Sequence, residues 1–140
     1  MIHGLIKIMI KTPSSSESFS NKIFWWLPFG SVPEVLPSEL AEKLQNPALS
    51  PQLLDVRTHT EWQKGHLPGA INIPITILRS KIETLNFDKE QPVITICLSA
   101  HRSIPAVRLL RRSGFQNVTQ LAGGMIAWRR HGLPEQTEEK

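Results

Sequence analysis

From Val32 onward the chain alternates short apolar runs with segments of helical pattern, and each connection between runs is too long for a hairpin. Strands joined by such crossovers pair in parallel, and a parallel sheet needs helices over both faces. The runs are Pro33-Glu34-Val35-Leu36, Gln52-Leu53-Leu54-Asp55-Val56-Arg57, Ala70-Ile71-Asn72-Ile73-Pro74, Val93-Ile94-Thr95-Ile96 and Asn117-Val118-Thr119-Gln120-Leu121. Helical patterns occupy 37–44, 58–64, about 77–85, 103–114 and 125–130. With 140 residues, this predicts one α/β domain over 32–134, an N-terminal extension over 1–31 and a frayed tail over 135–140.

The single cysteine, Cys97, ends the β-branched run 93–96, which reads as a fully buried strand. A short loop, Leu98-Ser99-Ala100-His101-Arg102, then feeds a helix with Ser103 at its N-cap, Pro105 in the first turn and Gly114 at its C-cap. Open α/β sheets bind ligands at the carboxyl ends of their strands. Amides at a helix start stabilise anions, and Arg102 adds a permanent positive charge. The setting favours a thiolate over the small buried hydrophobe that a lone cysteine otherwise is. One cysteine excludes an intramolecular disulfide, and no Cys/His spacing suits zinc. Gly123-Gly124 alone falls short of a phosphate-binding loop, so neither metal nor nucleotide cofactor is expected.

The net charge of +4 includes Arg108, Arg111, Arg112, Arg129 and Arg130, all on expected helices. They lack the aromatic interleaving of single-strand binders and read as solvated faces, so nucleic acid is not an expected partner. Residues 1–10 are apolar but too few to span a bilayer, and a serine-rich linker follows over 12–20. A lone thiol suits a reducing, cytoplasmic compartment; the lysines and serines of the first twenty-odd residues give an organellar transit peptide as the alternative. Ile23-Phe24-Trp25-Trp26-Leu27-Pro28-Phe29-Gly30 reads as an arm packing its aromatics on the domain. Its alternative is a membrane-surface or protein-docking patch centred on Trp25 and Trp26.

Three stretches together resemble the rhodanese family over about residues 32–134. Leu53-Leu54-Asp55-Val56-Arg57, Glu61-Trp62 and Gly65-His66-Leu67-Pro68-Gly69-Ala70-Ile71-Asn72-Ile73-Pro74 form the first. Cys97-Leu98-Ser99-Ala100-His101-Arg102-Ser103 stands where that family carries its active loop, and Leu121-Ala122-Gly123-Gly124-Met125-Ile126-Ala127-Trp128 resembles its C-terminal signature. The resemblance implies a five-stranded parallel core and a Cys97 persulfide that moves sulfur from thiosulfate or a similar donor. The acceptor would be cyanide, a small thiol or another protein's thiol, because no second cysteine can resolve the persulfide. It further implies substrate contacts from Leu98 to Ser103, with Arg102 orienting the loop or stabilising bound anion. Asp55 serves as structural support. Arg57 either pairs with Asp55 or Glu61 or helps recognise the donor, and His66, Trp62 and Trp128 are structural.

Related phosphatases place five residues between cysteine and arginine; here there are four, a smaller cradle that suits sulfur. Ala100 departs from the glycine of many active members, and a positive φ there would strain the loop. The alternative from another class is a catalytically weak rhodanese-fold interaction module.

Overall fold

The computed structural model describes residues 30–138. The aromatic patch at Trp25 and Trp26 and the transit-peptide reading lie outside the described residues. In chain order the elements are β1 (Glu34–Val35), α1 (Pro37–Gln45), β2 (Gln52–Asp55), α2 (His59–Lys64), β3 (Ile71–Asn72) and α3 (Ile75–Lys81) with a 3-10 turn at Ile82–Thr84. Then come β4 (Val93–Ile96), α4 (Ser103–Arg112), β5 (Val118–Leu121) and α5 (Gly124–Arg130). The five strands form one sheet in the order β1-β5-β4-β2-β3, with every neighbouring pair parallel. This is the α/β architecture that the alternating pattern predicts.

Central β4 is buried along its whole length, and its residues alternate between two cores. Val93 and Cys97 face the core filled by Leu78 of α3 and Val107 and Leu110 of α4. Ile94 and Ile96 face the other, with Leu40 of α1 and Met125 and Trp128 of α5. Leu53 and Leu54 divide β2 in the same way. A strand covered on both faces reads as an unbroken apolar run, which is why β4 was so legible.

Where structure and expectation differ, backbone chemistry gives the reason. Strand β3 is only two residues long; Ile73 and Ile75 still donate to the carbonyls of Asp55 and Val56, and Pro74 between them ends the extended run as the N-cap of α3. Helix α3 therefore starts at Ile75 rather than near Ile77. Ser103 is the first residue of α4, not its N-cap; Arg102 holds the cap position with helical φ and ψ and makes no side-chain cap bond. Helix α2 falls within the expected 58–64, and Thr58 and Glu61 close its start with a reciprocal capping box.

The tail is not frayed over its described residues. The amides and carbonyls of His66 and Gln136 exchange two hydrogen bonds, of 2.9 and 2.8 Å, and Glu138 N–H donates to Gln63 O at 3.1 Å. Arg129 pairs with Glu135 at 2.9 Å, and the Trp128 indole N–H donates to Pro134 O at 2.9 Å. Ending the chain after Pro134 removes the three backbone bonds and the ion pair. At about 1 kcal/mol net for each backbone bond, the truncation should lower the unfolding free energy in urea by about 2–3 kcal/mol. A loss below about 0.5 kcal/mol would contradict this account.

Candidate active site

Strand β4 delivers Cys97 to the carboxyl edge of the sheet, and the loop from Leu98 to Arg102 carries the chain into α4. The Cys97 side chain packs into the core beside α3 and α4 and is 1% exposed. Two backbone features shape the loop. Ala100 has φ 66°, in the left-handed region where a Cβ costs about 1–2 kcal/mol. At the other wall, Met125 N–H donates to Cys97 O at 2.8 Å and Ile126 N–H to Leu98 O at 3.0 Å.

That second contact depends on Gly124. A Cβ there would fall 2.6 Å from the Leu98 carbonyl oxygen and closer still to that of Cys97. A trans peptide points its C=O and N–H in opposite directions. With the carbonyls of Cys97 and Leu98 taken by α5, the N–H groups of Leu98 and Ser99 point away from α5. Among the described residues, no backbone N–H from Leu98 to Ser103 donates to another protein group. Such a succession of free amides at a helix start is an arrangement that can cradle an anion.

Beneath the loop, Ser103 Oγ lies 3.5 Å from Cys97 Sγ and donates to Gln120 Oε1 at 2.6 Å. Thr95 Oγ1 donates to the carbonyls of Ser103 and Thr119, both at 3.4 Å. At the exposed rim, His101 Nδ1 and Ser99 Oγ share a 2.9 Å hydrogen bond.

The two arginines near the site do different work. Arg102 forms a bidentate pair with Glu61, donating to Oε1 at 2.6 Å and Oε2 at 2.8 Å. Its charge reaches Cys97 through space, not by contact, and Glu61 raises the guanidinium pKa further. The hydrogen bond from Arg102 in turn holds the Glu61 carboxyl down to about 2. Arg57 is corrected from the substrate-recognition reading to its stated alternative, pairing with Asp55. It is 1% exposed, and its Nη2 donates to Asp55 Oδ2 at 2.8 Å and to Gly65 O at 2.7 Å. Nothing of that guanidinium is left to face a donor. Asp55, also accepting from Arg57 N–H at 3.0 Å, anchors the turn after β2. His66 is buried, stacks on Trp62 at 4.1 Å and donates through Nδ1 to Trp62 O at 2.7 Å.

Sequence reasoning did not single out Gln120, gave Gly124 no role beyond a signature, and offered Glu61 only as a partner for Arg57. The one available signal for Gln120 was a polar residue in register with Val118, on the face of β5 that turns to the core. Among the described residues, no cluster of His, Cys, Asp or Glu could hold a metal ion.

Two outcomes follow from this geometry. Ala100→Gly removes the left-handed Cβ and should raise stability in a urea titration by about 1 kcal/mol; an unchanged or lower midpoint would show that Ala100 carries no strain. Glu61 binds fewer protons folded than unfolded, so its stabilisation is complete above about 4.5 and is lost as pH falls toward about 2. The stability gap between the wild-type chain and Glu61→Gln, followed by denaturant titration, should therefore be open at pH 6 and close towards pH 2. A gap independent of pH would sink this reading.

The chain is similar to known proteins in sequence and in fold. The family model of the rhodanese-like domain matches residues 36–131. A sulfurtransferase of Allochromatium vinosum is 37% identical over 82 residues, covering 59% of this chain and 75% of that protein. An HTH-type transcriptional regulator of Mycobacterium tuberculosis is 43% identical over 84 residues, and the match spans 59% of this chain but only 36% of the regulator. Among solved structures, a rhodanese-related protein of Thermoplasma volcanium superposes with a TM-score of 0.67 at 30% identity, covering 77% of this chain and all of that one. With its five-stranded parallel sheet and its cysteine loop at the sheet's carboxyl edge, the chain belongs to the rhodanese-like domain family.

Proposed function

We propose that this chain is a sulfurtransferase in which Cys97 carries sulfane sulfur as a persulfide. The observation that carries the reading is the free amide succession from Leu98 to Ser103 at the end of β4 and the start of α4. Thiosulfate or a similar anionic donor suits that field. The Cys97 thiolate attacks the outer sulfur, a new S–S bond forms, and the old S–S bond breaks with its electron pair leaving on sulfite. The persulfide anion then rests against the loop amides, which stabilise it as fixed dipoles. Cyanide or a thiolate attacks its outer sulfur, takes it as thiocyanate or a new persulfide, and returns Cys97 as thiolate.

The four-residue interval between Cys97 and Arg102 supports sulfur over a phosphoryl group, for which the related phosphatases use five. The sulfurtransferase name of the Allochromatium relative points the same way. With no other cysteine in the chain, the acceptor is external: cyanide, a small thiol or the thiol of a second protein.

One observation favours a second reading. Cys97 is 1% exposed, so a donor reaches Sγ only if the loop opens. A loop that stays shut would leave an interaction module with little turnover, as the fusion of a similar segment to a transcriptional regulator also allows.

Intact-protein mass spectrometry after mixing with thiosulfate separates the two. The expected result is a gain of one sulfur, about 32 Da, lost on adding cyanide and absent from Cys97→Ala. A chain that gains no mass from thiosulfate and resists alkylation at Cys97 would be the interaction module.

A further inference from the structure

Gln120 lies on β5, only 4% exposed, on the sheet face that otherwise buries Val93, Leu110 and Val118. A glutamine there carries a desolvation cost that a leucine would not. Among the described residues its one side-chain hydrogen bond is with Ser103, whose hydroxyl donates to Gln120 Oε1 at 2.6 Å. Ser103 Oγ in turn stands 3.5 Å from Cys97 Sγ. Sulfur, hydroxyl and amide thus form a file running from the active loop into the sheet.

The direction of the hydrogen bonds in that file matters. With the Ser103 proton committed to Gln120, Oγ presents a lone pair to sulfur, which suits a thiol S–H. A thiolate needs the opposite: the hydroxyl proton turned toward Sγ, and a donor behind Oγ to replace the acceptor. A primary amide is the side chain that offers either, Oε1 as acceptor or Nε2 as donor, by turning about its terminal torsion. A carboxylate could only accept, and an aliphatic side chain could do neither.

We propose that Gln120 is a positioning residue that matches the hydrogen bonds behind Cys97 to the charge on its sulfur, accepting from Ser103 beside the thiol and donating to Ser103 beside the thiolate. On ionisation the S–H bond breaks and its proton goes to solvent. The Ser103 hydroxyl proton stays on Oγ and rotates from Oε1 to Sγ, and the amide turns to present Nε2. The charged and titratable groups around Cys97 are Arg102 with its partner Glu61, the Asp55–Arg57 pair of β2 and its following turn, and His101 at the rim. They supply a field that the file does not change. The inference deepens the sulfurtransferase reading, which needs an ionised Cys97, while its test reads ionisation alone.

The full chain, labelled with nitrogen-15, is titrated from about pH 5 to about pH 10, and the Gln120 side-chain amide resonances are followed. The rate of Cys97 alkylation by iodoacetamide is measured over the same range. The expected result is a shift of the Gln120 amide signals with the midpoint of alkylation, and flat signals in Ser103→Ala. Signals that ignore the alkylation midpoint, or follow it equally without the Ser103 hydroxyl, would overturn the proposal. A variant gives an independent reading if it folds. Gln120→Glu, an acceptor only when ionised, should raise the alkylation midpoint by about one pH unit, and adding Ser103→Ala should remove at least half of that rise. An equal rise in both backgrounds is charge alone and overturns the relay. An amide that titrates as expected in a chain that takes no sulfur from thiosulfate would uphold the relay and remove only the sulfurtransferase reading.

Discussion

Two hydrogen bonds, from the amides of Met125 and Ile126 to the carbonyls of Cys97 and Leu98, decide what the loop can present. A peptide that is to offer its N–H to a ligand must first dispose of its C=O, because the two point opposite ways. The start of α5 takes those carbonyls, and it can do so only because Gly124 lets the backbones meet. The parallel sheet sets this up. Strands β4 and β5 are neighbours in register, so the turn after β5 lies beside the turn after β4. The order of strands therefore reaches the chemistry of Cys97 through one glycine.

The second support of the site is polar. Helix α2 is six residues long with none of them buried, so apolar packing does little to hold it. Its capping box, the stack of His59, Trp62 and His66, and the clamp between Glu61 and Arg102 hold it instead. Glu61 takes part in two of these at once, closing the cap of α2 and gripping the loop arginine. The Asp55–Arg57 pair does the corresponding work inside, where a buried charge needs a partner close by. Asn72 adds to it, its amide donating to the carbonyls of Asp55 and Arg57 at 3.0 and 2.9 Å.

The parts of this molecule that could be read from the sequence are those governed by local rules. The burial of Val93-Ile94-Thr95-Ile96, the place of Cys97 at its end and the capping box at Thr58 all follow from patterns within a few residues. The alternation of runs was enough for the parallel sheet, and the three stretches that resemble the rhodanese family pointed to its five strands. The misread positions answer to partners far along the chain. Ser103 is written like an N-cap, but its hydroxyl goes to Gln120, 17 residues on. Arg102 finds Glu61 across 41 residues, while Arg57 is buried against Asp55. The tail at 135–138 looked frayed because its acceptors, Gln63 of α2 and His66 just beyond it, lie far back along the chain. Ala100 was legible as a question; only the backbone angle of 66° answers it.

That angle links loop order to ligand affinity. An alanine in the left-handed well sets this loop shape against other members of the ensemble in which that residue relaxes. A penalty of about 1 kcal/mol changes the balance between those members roughly fivefold. An anion that binds only this loop shape meets an apparent affinity reduced by the fraction of molecules that hold it. By the same linkage its arrival draws the population toward that shape. In a loop that carries sulfur, the residue at position 100 would set how far the cradle is formed before a ligand comes.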